Sequence, residues 1–456
     1  MSKSHKSASS SSHPHVSGGG LPADLEEMRT RVFVSPSAVS STATTLAPDA
    51  YAAQGLDNEF RMSVFQQEFR IEVQHLERKG MVVRDPQTGA EVVSDSDRIV
   101  FDMVGIDAAL ANALRRILLA EVPTMAIERV LLFQNTSIIQ DEVLAHRLGL
   151  IPIACDPRQF QYVRESAREP RDRRKPTNPK ANDDKSVTIS THPAGVPNEL
   201  NTLVFVLDVK CTRKTDKSGR PVGDEKADAD KYENHLVYSR QLQWISQGSQ
   251  AKRFSNPATQ PRPAYDDIVI AKLRPGQSIE AELHVEKGIG QSHAKWSPVA
   301  TASYRLLPEI LFVEPVVDEA AEQLKQKCPM NVFDIEDLAG GAAAAAKGAR
   351  KQAVVARPRN CTMCRECTRG EMPSGAAWSD QIKLRRVRDH FIFSVETTGA
   401  YTPTQVVREA IGVLKEKAQT LKRLFKGQKA GELDEAAMAE AEAKQKDDDE
   451  DEEAEE

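Results

Sequence analysis

The sequence lacks the long apolar runs that membrane-spanning proteins need. No stretch of its 456 residues approaches the roughly 18 consecutive apolar residues of a transmembrane helix. The first twenty residues, MSKSHKSASSSSHPHVSGGG, have no apolar core, so we expect no secretory signal. Six cysteines exclude a disulfide-rich scaffold and favour a reducing compartment. Aromatic residues make up only 5% of the chain, which predicts that part of it is unfolded.

A large excess of basic charge is also missing. The net charge is −6, but nine of the last ten residues, Asp447 to Glu456, are acidic. The rest of the chain therefore carries only +3. This near-neutral body excludes a generally basic, nucleic-acid-coating protein, and the acidic tail is typical of a solvated segment.

The motifs of common catalytic sites are absent from the sequence. We find no phosphate-binding loop, no Ser/His/Asp order and no Asp triplet suited to two Mg²⁺ ions. His293 and Lys295 lie beside Trp296, but no nucleophile or carboxylate pair accompanies them. We interpret this stretch as a structural loop whose turn is shaped by Gly288 and Gly290.

Two long amphipathic helices are the strongest positive feature. One begins after an Asp107 N-cap and ends before Pro123; the other begins with Thr402 as N-cap and Pro403 as first residue. Such stripes pack either on the chain's own sheet or against a partner, and spacing alone leaves both open. The apolar stripes at helical spacing are Ile106, Leu110, Ala113, Leu114, Ile117 and Leu118, and Val407, Ile411, Leu414, Ala418, Leu421 and Phe425, with Val406, Val413 and Leu424 widening the second.

Further segments have the patterns of strands, helices and tails. Residues 1–55 and those after 427 are expected to be disordered tails, and residues 156–185 an exposed loop. A short helix is predicted at Asp141–Leu148. Alternation predicts strands at 69–73, 99–104, 186–191, 203–211, 235–242, 278–285, 300–307 and 389–397.

Several motifs, taken in order, resemble one family. They are Asn112-Ala-Leu-Arg115-Arg116, Ala120-Glu-Val-Pro123, Asp141-Glu-Val-Leu-Ala-His-Arg147-Leu-Gly-Leu-Ile-Pro152, Gly288-Ile-Gly-Gln-Ser-His293-Ala-Lys295-Trp296-Ser-Pro298, Tyr304-Arg-Leu-Leu-Pro308 and Asp389-His-Phe-Ile-Phe-Ser-Val-Glu396. They resemble the RNA polymerase α family, which comprises the bacterial α N-terminal domain and its archaeal and eukaryotic counterparts. The resemblance covers most of residues 60–425.

The resemblance implies an α+β fold with a discontinuous dimerisation domain at 60–122 and 386–426. A β-rich domain at 123–305 is inserted, followed by a small ferredoxin-like module at 306–385. The two apolar stripes would then form the dimer interface with a smaller α-like subunit. The opposite face would contact the β-like second-largest subunit through Asn112, Arg115, Arg116 and Arg147.

Within the family, two segments are most similar to the larger α-like subunits shared by RNA polymerases I and III. These segments are Phe133-Gln-Asn-Thr-Ser-Ile-Ile-Gln-Asp141 and Cys361-Thr-Met-Cys-Arg-Glu-Cys367. The polymerase II counterpart usually has a four-cysteine zinc site in its β insert, where this chain has only Cys155 and Cys211. The similarity implies a non-catalytic assembly subunit for rRNA, 5S rRNA and tRNA synthesis in the nucleus (nucleolus and nucleoplasm). Small zinc-binding polymerase subunits would be further partners, with no sequence-specific DNA contact.

The four clustered cysteines pose a separate question. Cys361, Cys364 and Cys367, together with Cys328, have a spacing that suits a 4Fe-4S cluster or a tetrahedral Zn²⁺. The resemblance points the other way, because the eukaryotic polymerase I/III subunit generally lacks a cluster. We therefore expect no cofactor, with a 4Fe-4S cluster or zinc as the alternatives.

Two other functional classes compete with the assembly interpretation. An iron–sulfur electron-transfer protein would use the Cys361 module, but it would leave both long helices unexplained. A DNA-binding factor conflicts with the near-neutral body and the lack of a recognition helix.

Overall fold

The computed structural model describes twelve segments of the chain. These are residues 27, 30–35, 39–40, 62–80, 82–84, 91–94, 97–163, 197–215, 227, 231–257, 259–337 and 351–425. None of the helices in these segments is both long and apolar enough to span a membrane. The strand predicted at residues 186–191, the Gly340–Gly348 segment and the acidic tail lie outside the described residues.

The described residues form helices and strands in an α+β arrangement, as expected. The helices are α1 (Met62–Glu68), α2 (Ala108–Ala120), α3 (Asp141–Gly149), α4 (Gln250–Arg253), α5 (Asp318–Lys327), α6 (Trp378–Gln381) and α7 (Pro403–Phe425). The strands are β1 (Arg31–Val34), β2 (Val39–Ser40), β3 (Arg70–Glu77), β4 (Val82–Arg84), β5 (Glu91–Val93), β6 (Arg98–Val104), β7 (Pro123–Asn135), β8 (Ile153–Ala154), β9 (Thr202–Lys210), β10 (Thr212–Arg213), β11 (Tyr232–Glu233), β12 (Leu236–Tyr238), β13 (Gln243–Ile245), β14 (Arg262–Pro263), β15 (Val269–Lys272), β16 (Ser278–Ile289), β17 (Val299–Phe312), β18 (Phe333–Asp337), β19 (Lys351–Val355) and β20 (Ile382–Thr397).

The chain divides into two compact units. The first comprises residues 1–71, 103–107 and 305–392, and the second comprises 72–102, 108–304 and 393–456. This division differs from the predicted domains, because it places α2 and α7 in one unit with the β-rich segment.

The second unit is built on an antiparallel sheet of order β13-β9-β16-β7. Its long central pairing sets Leu283 of β16 opposite Phe205 of β9 and Val130 of β7. Alternate residues of β9 and β16, including Phe205 and Leu283, are fully buried in one core. On the other face of the sheet, Asp208 and Glu280 are exposed, whereas Val204 and Val206 are half-buried and Glu286 is buried.

In the same unit, the end of β20 lies beside β6. Phe393 stacks on Phe101 with ring centroids 5.1 Å apart, and the Thr397 N–H donates to the Asp97 carbonyl at 2.9 Å. Both phenylalanines are buried. The aromatic pair therefore anchors the strand that leads into α7.

The first unit has its own core and a strand that the sequence prediction missed. The prediction that residues 1–55 form a tail is wrong at β1, which pairs antiparallel with β20 from Arg31↔Val387 to Val34↔Leu384. Val32 and Val34 are buried. The Glu309 carboxylate forms ion pairs with Arg31 (2.9 Å) and Arg385 (2.8 Å). Only four residues alternate here, too few for a periodicity argument, so the strand is specified by its tertiary partners.

One strand predicted to be half-buried is more exposed than expected. Ile71 and Val73 of β3 have exposed fractions of 42% and 61%. Alternation shows that such residues share a face of a strand, but it does not show that this face is covered.

Candidate dimerisation interface

Helices α2 and α7 lie against one another in the second unit. Lys417 Nζ of α7 donates to Glu121 Oε2, just after α2, at 2.6 Å. The Tyr401 hydroxyl donates to the Pro123 carbonyl at 2.9 Å. Burial, together with the nearby Glu409 and Asp156 carboxylates, raises the pKa of Tyr401 above its ordinary value, so the hydroxyl stays protonated. The tyrosine ties the start of α7, and the lysine ties its third quarter, to the end of α2.

The beginning of α7 has the reciprocal hydrogen bonds of a capping box. The Gln405 N–H donates to Thr402 Oγ1 at 3.4 Å, and the Thr402 N–H donates to Gln405 Oε1 at 3.3 Å. Pro403 is the first helical residue, where its missing N–H costs nothing. The predicted start of this helix is confirmed.

Helix α7 has fully buried side chains only in its first two turns. Its buried residues are Pro403, Val406 and Ala410, and none of the fifteen residues after Ala410 is buried. Val406 belongs to the widening stripe that the sequence showed beside the principal one. The face that α7 presents to its own core is therefore offset from the predicted interface.

The predicted interface stripe of α7 is largely exposed. Val407 and Leu414 are half-buried, and Ala418 is exposed. The exposed fractions of the larger residues rise along the helix, from 42% for Ile411 to 55% for Leu421 and 84% for Phe425. The described part of the chain thus leaves most of this stripe uncovered.

Helix α2 treats its predicted stripe differently. Leu114, Ile117 and Leu118 are buried in the chain's own core. Ala113 is half-buried, while Leu110 is 39% exposed. Three members of the predicted interface therefore have a structural role, and the outward-facing part of the set is Leu110 and Ala113.

The end of α7 exposes large apolar side chains to water, and burying them would be favourable. Leu424, which the sequence placed only in the widening stripe, is 47% exposed and adds to Leu421 and Phe425. Full burial of each such side chain is worth about 1.5–3 kcal/mol. A helix end with no buried residue gains little from its own chain, since most helical stability in proteins comes from packing an apolar face. This surface has the character of a protein–protein contact.

The residues predicted to contact the β-like second-largest subunit lie in three different environments. Arg115 donates through Nε (3.1 Å) and Nη2 (2.8 Å) to Asn112 Oδ1, which holds both side chains on one face of α2. Arg116 is exposed. Arg147 instead donates to the carbonyls of Ile270 (3.0 Å) and Val269 (2.8 Å), so it ties α3 to β15 within this chain.

The loop around Trp296 has the structural role that the sequence indicated. A Cβ at Gly290 would lie 2.3 Å from the Leu119 carbonyl oxygen, so only glycine permits this approach to α2. Lys295 Nζ bonds Glu128 Oε2 at 2.5 Å, and the buried Trp296 donates from Nε1 to the Glu286 carbonyl at 3.0 Å. The loop supports the end of α2.

The structure brings the four clustered cysteines of the first unit, Cys328, Cys361, Cys364 and Cys367, to one place. All four line one small cavity, but Cys361 and Cys367 are buried among apolar side chains, whereas Cys364 is exposed. Burial raises the pKa of the Cys361 thiol, and that of the Cys367 thiol to about 12. In the described part of the chain, no three Cys, His, Asp or Glu side chains are placed to hold a metal ion.

Comparison with known protein families gives one extended match. The family described as RNA polymerase Rpb3/Rpb11 dimerisation domain matches residues 100–289 and 341–418. The match includes α2 and most of α7, the two helices described above.

Individual relatives agree with this match. The chain is 43% identical to the DNA-directed RNA polymerases I and III subunit RPAC1 of Homo sapiens over 390 residues, covering 86% of this chain and 93% of the human protein. It is 37% identical to the same subunit of Saccharomyces cerevisiae over 385 residues, covering 84% and 95%. The DNA-directed RNA polymerase II subunit rpb3 of Dictyostelium discoideum is 31% identical over 327 residues, covering 71% and 89%.

Proposed function

The chain belongs to the RNA polymerase Rpb3/Rpb11 dimerisation family, and we propose that it is an assembly subunit of DNA-directed RNA polymerases I and III. The observation that carries this proposal is the uncovered apolar stripe of α7, which lies within the family's dimerisation domain. Its work would be to hold other subunits together for rRNA, 5S rRNA and tRNA synthesis in the nucleus, in nucleolus and nucleoplasm. The subunit itself would contribute no catalytic group.

The first partner would be a smaller α-like subunit that forms a heterodimer with this chain. Leu110 of α2 and the exposed residues Ile411, Leu421 and Phe425 of α7 would lie in the contact. Leu114, Ile117 and Leu118 would support it from beneath by holding α2 in place. Association would then bury the apolar surface that this chain leaves in water.

The second partner would be the β-like second-largest subunit. Arg116, which is exposed, and the bonded pair of Arg115 and Asn112 give α2 a charged face suited to this contact. Arg147 would contribute indirectly, because its guanidinium is already bonded to two backbone carbonyls. Small zinc-binding polymerase subunits would complete the platform.

The cysteine-bearing module would work without a metal. Cys361 and Cys367 would act as small apolar core residues, in keeping with their burial and raised pKa values. Iron and zinc analysis of anaerobically purified protein should find well under one metal atom per chain. Stoichiometric iron or zinc would contradict this part of the proposal.

The dimer contact is tested by comparing two neighbouring substitutions near the end of α7. Leu421→Asp places a carboxylate on the exposed stripe, whereas Thr420→Asp places the same group on an exposed position of another face. Because neither residue is buried, both chains should fold. We expect Leu421→Asp to lose co-purification of the small partner by at least tenfold and Thr420→Asp to retain it.

Two outcomes would contradict the assignment. Equal retention of the partner by both variants would show that the stripe is not the contact. Loss of the partner from both variants would show that the partner does not distinguish the two faces of α7.

Charge reversal of Arg116 to Glu should spare the heterodimer but weaken recruitment of the β-like subunit, measured by the composition of the tagged assembly.

A further inference from the structure

The face of the β13-β9-β16-β7 sheet that points away from its core carries a second, partly exposed apolar surface, separate from the α7 stripe. Leu131 and Phe133 of β7 have exposed fractions of 46% and 66%. Their neighbours Val130 and Leu132 point the other way and pack on the core. β7 is at the edge of this sheet, so its outer side chains form a border that is apolar.

Next to this border lies a row of carboxylates. The register sets Leu131 opposite Glu282 and Gln134 opposite Glu280 on β16. On its other side, Glu280 is opposite Asp208 of β9. Both Glu280 and Asp208 are exposed, so apolar and acidic groups share one face of the sheet.

The carboxylates of this face differ in whether a basic side chain lies within hydrogen-bonding distance. Glu282 is hydrogen-bonded to His284 at 2.8 Å, and Glu286 lies 3.1 Å from Arg129. Within the described segments, Glu280 and Asp208 have no basic partner of this kind. Like charges directly opposite one another on adjacent strands are destabilising, so this pair has a cost that a cationic group from outside would remove.

The loop beside Phe133 is held in a fixed shape. Asn135 Oδ1 accepts from the Ser137 backbone N–H (3.1 Å) and hydroxyl (2.6 Å). Asn135 Nδ2 donates to the Ile139 carbonyl (2.8 Å) and to Asp141 (2.7 Å). Ile138 at the tip is 89% exposed. An apolar side chain presented on an already ordered loop loses little entropy on binding.

We propose that Leu131, Phe133, Asp208, Glu280 and the Ile138 loop form a docking surface for a basic segment of another polymerase subunit. This surface is named the acidic sheet face. A lysine or arginine would lie between Asp208 and Glu280, and an adjacent apolar side chain would cover Leu131 and Phe133. Charge complementarity selects this partner, because a negatively charged nucleic acid would be repelled.

This inference rests on the proposed assembly function and is tested on the tagged full-length chain purified with its bound subunits. Glu280→Lys would place a cation opposite Asp208, and Glu336→Lys on β18 provides the same charge change at another exposed strand position. For the Glu280 variant, we expect an unchanged or raised melting temperature of the isolated chain. Its assembly should lose a subunit or release it at markedly lower salt, with at least a tenfold loss of affinity, while the α7 partner remains.

The Glu336 variant should match the wild type in both measurements. A second variant, Phe133→Ala, should weaken binding of the same subunit with an unchanged salt dependence, since it removes an apolar contact and no charge. Weaker assembly by a Glu280→Lys chain whose own stability is unchanged or raised would distinguish docking from a merely structural role for Glu280.

Three results would overturn the inference. One is that Glu280→Lys and Phe133→Ala both leave the subunit composition of the assembly unaltered. Another is that Glu336→Lys loses the same subunit as Glu280→Lys. The third is altered self-association of the isolated chain without any change in the assembly, which would identify a second copy as the occupant. Failure of the wild-type chain to co-purify any subunit would contradict the proposed function itself.

Discussion

Helices α2 and α7 have similar apolar stripes but use them differently. In α2, Leu114, Ile117 and Leu118 are enclosed by the chain's own core. In α7, most of the principal stripe faces away from the chain's own core. Leu421 and Phe425 are exposed, although their spacing is equally regular. Helical periodicity therefore identifies which residues share a face, but it does not identify which molecule covers that face.

The comparison explains why the two helices should respond differently to substitution. Disrupting the α2 stripe removes support from within the chain, so both folding and pairing would fail together. Disrupting the end of α7 leaves folding intact and affects pairing alone. Stability measurements are therefore informative for the buried stripe of α2, and pairing measurements are informative for the exposed stripe of α7.

The largest expected effect is the loss of stability on shortening a buried α2 side chain. Leu114→Ala should lower the free energy of unfolding of the purified chain by about 2–5 kcal/mol, because it leaves a cavity. Leu421→Ala should change it by less than about 0.5 kcal/mol, since Leu421 is exposed. Urea unfolding of both variants checks the difference. Equal effects would remove the contrast between the helices.

A smaller effect is expected where α7 is anchored to the end of α2. Tyr401→Phe removes the hydrogen bond to the Pro123 carbonyl and should lower the unfolding free energy by about 0.5–1.5 kcal/mol at pH 7. Thermal or urea unfolding at neutral pH measures this loss.

The same tyrosine should make stability depend on alkaline pH. The folded-state pKa of Tyr401 is raised above its ordinary value of 10.0, so above pH 10 the unfolded state binds fewer protons than the folded state. The unfolding free energy should then fall by up to about 1.4 kcal/mol per pH unit, and the Tyr401→Phe variant should lack this contribution. Parallel pH profiles for the two proteins would contradict the assigned burial.

Several elements could be predicted from the sequence because their signals are local. Helix α7 begins at Pro403 after Thr402, where an N-cap and a first-turn proline occur together. Helix α2 begins at Ala108, directly after Asp107, and α3 begins at Asp141 as expected. The strands predicted at 203–211 and 278–285 are observed as Thr202–Lys210 and Ser278–Ile289.

Other features depend on contacts between distant parts of the chain. β1 owes its position to Val34, Glu309 and Arg385, and nothing within residues 31–34 indicates these partners. Similarly, the sequence could not show that Arg147 bonds the Val269 and Ile270 carbonyls, because the same arginine suits an external contact. The tertiary partner decides the role in each case.

The family motifs identified residues by type, while the structure distinguishes supporting residues from exposed ones. Leu114 and Leu421 were equivalent members of the predicted interface, yet only Leu421 is available to another molecule. For α7, the spacing contains a signal that Leu421 faces outward, because a second stripe of Val406 and Val413 can face the chain's own core instead. For α2, no second stripe gave such an indication.

We expect another chain to cover the end of α7. Amide hydrogen exchange over residues 418–425 tests it most directly, in the purified chain alone and in its complex with the small α-like partner. We predict rapid exchange in the isolated chain and strong protection in the complex, because packing would stabilise the last two turns. The same exchange rates in both samples would contradict it.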